Sequence, residues 1–161
     1  MIDSIATSSN WIEILSAFLV PIITVIGLYI AYQQYQINQQ RLKHELYERR
    51  LVIFKHMKTY LSEILSSNKV TTDRVLKFNY DVAESIFLVD ENINKRIKEI
   101  YIKSIKMAGL YEQMYPSDGT KGLPVGDERT RVSQEYSELL RWLTDQLVEL
   151  KGLFEKHLGL S

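Results

Sequence analysis

His44, His56 and His157 are the first residues to weigh for chemistry, and none has a second histidine or cysteine three or four positions away. Zinc sites draw ligands at such spacings, so the three read as helix-surface residues and no metal is expected. Cysteine is absent, which excludes disulfides and thiolate chemistry. None of the patterns G-x-x-x-x-G-K-[ST], G-x-G-x-x-G and G-x-S-x-G occurs, so phosphate-loop, dinucleotide and hydrolase readings lack their minimum signal. The acid pairs Asp90-Glu91 and Asp127-Glu128 open runs of helical periodicity, where the helix dipole favours negative charge and capping accounts for them. Lys95, Arg96, Lys98, Lys103 and Lys106 form a basic run, a candidate face for an anionic ligand such as a nucleotide. Acids and bases are nearly balanced from residue 68 onward, so a solvated helix face is the plainer account. Neither enzyme activity nor a cofactor is expected.

Those side chains must be held by something, and the composition points to helices. The 161 residues include only three prolines and seven glycines, too few for a turn-dense β domain. Lysine plus arginine equal aspartate plus glutamate at 20 each, so no global field steers the chain toward nucleic acid, and none is expected as a partner. With about 30 residues set aside for the apolar run described next, enough chain remains for one domain with its own core.

That run, Ile14 to Tyr32, contains no charged residue. As a helix it spans roughly the 30 Å hydrocarbon layer of a bilayer, so membrane lipid is the first expected partner. Residues 1–10 carry no lysine or arginine and lack the basic start of a cleavable signal, which predicts an uncleaved anchor. Asn10 and Glu13 have the spacing of a capping box; an acid there could instead serve an ion pathway. Trp11 on one side and Tyr29, Tyr32 and Tyr35 on the other sit where amphipathic rings collect at membrane surfaces. Pro21 predicts a modest kink. Ala17, Thr24, Gly27 and Ala31 make one stripe small enough for a second helix to approach, which suits a homo-oligomer. Arg41, Lys43, Arg49, Arg50, Lys55 and Lys58 follow the run and no base precedes it. By the positive-inside rule the C-terminal side stays in the cytoplasm; a lipid-binding basic patch is the other reading of the same residues.

The fold class expected is all-α, with one N-terminal transmembrane helix continuing into a cytoplasmic antiparallel helical bundle of about four helices. The boundaries are 1–10 for a short extracytoplasmic N-terminus, 11–35 for the transmembrane helix and 36–161 for the cytoplasmic domain. Nothing breaks the chain before Ser66, and Leu42, Leu46, Ile53, Met57, Leu61 and Ile64 carry an apolar stripe onward, so the first helix runs on past the bilayer. Thr71 or Thr72 should cap a second helix that ends near Val89, with Val75, Phe78, Val82 and Ile86 on one face and Leu76, Ala83 and Phe87 beside it. Asp90 should cap a third carrying Ile93, Ile97, Ile100, Ser104 and Ala108, which stops before Tyr115-Pro116. Residues 115–127 hold two prolines and three glycines with little to bury, a loop expected to be mobile or functional. The last helix, Asp127 to Leu158, places Val132, Tyr136, Leu140, Leu143, Leu147, Leu150 and Phe154 at steps of three and four. That is a heptad packing seam in want of a long partner, either the first helix or a second subunit.

The stretch Arg41-Leu42-Lys43-His44-Glu45-Leu46-Tyr47-Glu48-Arg49-Arg50-Leu51, after Ala-Tyr-Gln-Gln at 31–34, resembles a group of small uncharacterised bacterial single-pass membrane proteins. Ile86-Phe87-Leu88 followed by Ile93, Ile97 and Ile100 is similar to that group's second block, so the resemblance covers roughly residues 25 to 110. His44 stands where the group has an apolar residue. The resemblance implies an inner-membrane protein without enzyme activity, often encoded among mobile or antiphage genes. Two functions follow as expectations. One is a membrane component that works by self-association or by binding a protein partner. The other is a ligand-gated effector, answering a signal such as a cyclic nucleotide second messenger, whose assembled spans form a pore or disrupt the bilayer.

Overall fold

The computed structural model describes residues 3–158, with side chains described from 16 to 155; Asn10, Trp11, Glu13 and His157 lie outside the described side chains. The chain is all-helical in the order α1 (Asp3–Ser67), α2 (Thr72–Asp81), α3 (Ser85–Leu88), α4 (Glu91–Met114) and α5 (Asp127–Leu158), with no strand among the described residues. It divides into two units, the second beginning at Leu46.

In the first unit every described side chain is exposed. The helix passes through Pro21 without interruption, and Thr24 Oγ1 donates to the Val20 carbonyl at 2.8 Å. Toward the polar end, Gln33 Nε2 donates to the Tyr29 hydroxyl at 3.0 Å and Gln36 Nε2 to the Tyr32 hydroxyl at 2.9 Å. Each ring thus lies along the helix with its polar tip met one turn on.

The second unit has its own core. From α1 it takes Ile53, Met57, Leu61 and Ile64, which belong to the stripe expected from their spacing, and Tyr60, which does not; Leu42, at the head of that stripe, is exposed. Serine and asparagine end the helix. The Ser66 and Ser67 hydroxyls both donate to the Glu63 carbonyl, and Asn68 adopts φ 48° while its N–H reaches the Ile64 carbonyl at 2.8 Å. A left-handed residue at this position is the usual way to satisfy the last carbonyls, and asparagine tolerates it.

Thr71 precedes α2 with extended geometry, but its side chain makes no capping bond. Arg74 instead ties the turn, donating to Ser67 Oγ at 3.0 Å. The second helix ends eight residues short of Val89. After Asp81 the backbone tightens into three-residue bonds, from Ala83 N–H to Tyr80, from Ser85 N–H to Val82 and from Phe87 N–H to Glu84. Such turns advance about 120° per residue instead of about 100°, so the phase slips. Ser85 takes the buried position expected for Ile86, and Ile86 and Phe87 are left 67% and 86% exposed.

Asp90 caps α4 as its position suggests, with Oδ1 accepting from Ile93 N–H at 2.9 Å. Ile93, Ile97, Ile100, Ser104 and Ala108 all face inward. The chain between α4 and α5 is tethered: Glu112 accepts from Ser117 N–H and Oγ at 2.6 and 2.5 Å, Leu123 N–H reaches the Gln113 carbonyl, and Arg129 donates to the Leu123 carbonyl at 2.6 Å. Leu123 packs against the core, so this loop does bury an apolar side chain.

Along α5, Val132, Tyr136, Leu143, Leu150 and Phe154 are buried while Leu140 and Leu147 are partly so. Two contacts join α5 to α1. Phe54 meets Phe154 edge-on with centroids 5.5 Å apart, and Tyr136 donates its hydroxyl to the Asn68 carbonyl.

Candidate functional site

The first helix holds the small-residue stripe in the open. Ala17, Thr24, Gly27 and Ala31 are exposed, and a methyl group added at Gly27 would meet nothing within 4 Å. Tyr29, Tyr32 and Tyr35 are likewise exposed, on the same stretch as the glutamines that bond two of them.

The bases that follow the apolar run have different surroundings. Arg41 and Lys43 are exposed. Arg49 stands 3.8 Å from Glu84, and Arg50 Nε donates to the Leu88 carbonyl at 2.7 Å. Arg50 therefore closes the C-terminal end of α3, where carbonyls lack helical partners and positive charge is favoured. His56 lies 3.7 Å from Asp81, whose Oδ2 also takes Lys77 at 2.5 Å; the carboxylate of α2 thus stands between a lysine of its own helix and the imidazole of α1. Among the described residues no group of three or more histidines, aspartates and glutamates is arranged to hold a metal ion.

The five bases of α4 divide in two. Arg96 reaches Glu99 at 3.5 Å and Glu149 at 4.0 Å, Lys103 sits 4.1 Å above the Trp142 ring, and Lys106 pairs with Glu135. These three join α4 to α5, with numbers rising on one helix and falling on the other. Their partners recur every seventh residue, a stripe flanking the heptad seam where coiled-coil charges usually sit. That regularity is in the sequence, but it does not say which bases of α4 the stripe meets. Glu135 is held below the usual carboxylate range, chiefly by its hydrogen bond to Lys106.

Lys95 and Lys98 point elsewhere. They line a groove of about 420 Å³ between α2–α3 and α4, floored by Val82 and Ile97 and edged by Ile86 and Tyr101. Among the described residues neither lysine has an ion-pair partner. The groove exists because of the slipped phase after Asp81, which turns Ile86 to its rim and puts a serine beneath. Spacing alone placed Ile86 in the core, so this site was missed.

No protein-family model matches the chain, and neither a curated protein nor a solved structure is detectably similar to it.

Proposed function

We propose that this chain is a non-enzymatic, membrane-anchored helical protein that acts by self-association through its span and by partner binding through a cytoplasmic antiparallel bundle. The observation that carries the reading is in α1. An 18-residue window there has a mean hydropathy of 1.7, and none of it is buried inside the protein. Water does not tolerate a contiguous apolar surface of that extent, whereas a bilayer removes it at roughly 25 cal/mol per Å². The bases after the window and their absence before it support a C-terminal domain on the cytoplasmic side. The open face at Gly27 supports close approach of a second span. The antiphage setting is an extension of the resemblance drawn from residues 25 to 110.

The test uses full-length protein in its membrane. Alkaline carbonate should leave it in the pellet, and protease outside intact spheroplasts should spare the C-terminal domain. Energy transfer between labelled copies in vesicles should fall when Gly27→Leu and Ala31→Leu are combined. Release by carbonate, or copies that show no transfer before substitution, would overturn the proposal. Lys95 and Lys98 lend some support to the ligand-gated reading, which requires nucleotide-dependent leakage of dye from vesicles carrying the protein.

A further inference from the structure

The short helix α3 presents apolar side chains that none of the described residues covers. Ile86 and Phe87, adjacent in α3, are 67% and 86% exposed, two large apolar side chains side by side on the surface. Beside them lies the groove edged by Ile86. Its α4 wall carries Lys95 and Lys98, the two bases of that helix that α5 leaves unpaired, and one acid, Glu91, so the wall is net basic.

We propose that this face docks an acidic amphipathic helix of another protein. Apolar side chains of such a helix at i, i+3 or i+4, and i+7 would meet Ile86, Phe87 and the groove floor, the arrangement of helix-in-groove recognition. The two lysines ask for carboxylates on the flank of that helix. A second copy of this chain is the poorer occupant, because the matching face of the copy brings its own Lys95 and Lys98, and like charges would oppose each other. The inference rests on the partner-binding half of the proposed function and is independent of contact between spans.

The experiment takes the full chain in zwitterionic nanodiscs and measures its affinity for synthetic amphipathic helices with one apolar stripe and flanks of glutamate, serine or lysine. The glutamate-flanked peptide should bind at least about tenfold more tightly than the lysine-flanked one. Phe87→Ser with Ile86→Ser should abolish that binding, and since both side chains are exposed the fold should persist. Lys95→Glu with Lys98→Glu should invert the flank preference, an outcome that loss of folding cannot produce. A photocrosslinker at position 87 should label the peptide. Equal affinity for all flanks, binding indifferent to residues 86 and 87, crosslinks only to a second copy, or crosslinks only to lipid in anionic nanodiscs would each overturn the proposal. Energy transfer between spans, followed in the same samples, reports separately on self-association.

Discussion

Tyr136 on α5 donates its hydroxyl to the carbonyl of Asn68 at 2.9 Å, and Asn68 is the only non-glycine residue with positive φ among those described. The seam of α5 is thereby fastened to the point at which α1 stops. Tyr136→Phe should cost about 1 kcal/mol, the usual worth of one part-buried hydrogen bond. Asn68→Gly should be tolerated, and Asn68→Val should cost about 1–2 kcal/mol, since a left-handed backbone penalises a branched side chain. Denaturant unfolding in detergent checks all three; equal loss for the glycine and valine variants would show that φ is not what asparagine supplies.

The contacts of Arg96, Lys103 and Lys106 with Glu149, Trp142 and Glu135 set α4 beside α5 in one register. Exposed ion pairs contribute little singly, so Lys106→Glu alone should destabilise by less than about 1 kcal/mol. Adding Glu135→Lys should recover most of that. Trp142→Ala should cost more, because it removes partly buried aromatic surface along with the cation–π contact to Lys103. A double-mutant cycle with no coupling between Lys106 and Glu135 would contradict this account.

These helices show where a sequence speaks and where it falls silent. The bounds of α4 and α5 follow from local chemistry: Asp90 caps, Tyr115-Pro116 stops, and Asp127-Glu128 restart the chain. The buried stripe of α1 and the α5 seam follow from periodicity, because packing repeats what spacing sets out. Residues 82–84 contain neither glycine nor proline, so the tightened turn that cuts α2 from α3 left no mark, and with it went the exposure of Ile86 and Phe87. The bases of α4 carry the same charge whether α5 engages them or not. Only the tertiary pairing separates Lys95 and Lys98 from the others.

Gly122 makes the closest approach in the loop. A Cβ there would lie 2.2 Å from the Met114 carbonyl oxygen and 2.8 Å from its carbon, both backbone atoms that α4 holds in place. Gly122→Ala should therefore lift the loop, break the bond from Leu123 N–H to the Gln113 carbonyl at 3.0 Å and cost about 2 kcal/mol or more. Gly109 offers the contrast, since a methyl there meets nothing within 4 Å inside α4. Gly109→Ala should stabilise by about 0.5–1 kcal/mol. Amide hydrogen exchange at Leu123 distinguishes loop release from general weakening, and unchanged protection in Gly122→Ala would refute the close-packing argument.

Tyr60 and Ser104 bury hydroxyl groups that complete no hydrogen bond of good geometry, although Tyr60 itself is well packed, stacking on Phe78 with centroids 4.2 Å apart. Burial raises the Tyr60 hydroxyl from 10.0 to about 12, opposed only in part by the neighbouring Ser104 hydroxyl. Because the folded value lies above the unfolded one, this contribution is fully present below about pH 10 and disappears as pH climbs through about 12. Tyr60→Phe keeps the ring and removes the unpaired group, so at neutral pH it should be neutral or stabilising by up to about 1 kcal/mol. Its advantage over the natural chain should widen between pH 9 and about 12, where only the natural chain releases that proton on unfolding. Unfolding free energies of the two proteins across this range test the sign directly. A gap that narrows with rising pH would mean that the Tyr60 hydroxyl ionises more readily in the folded protein than in the unfolded chain.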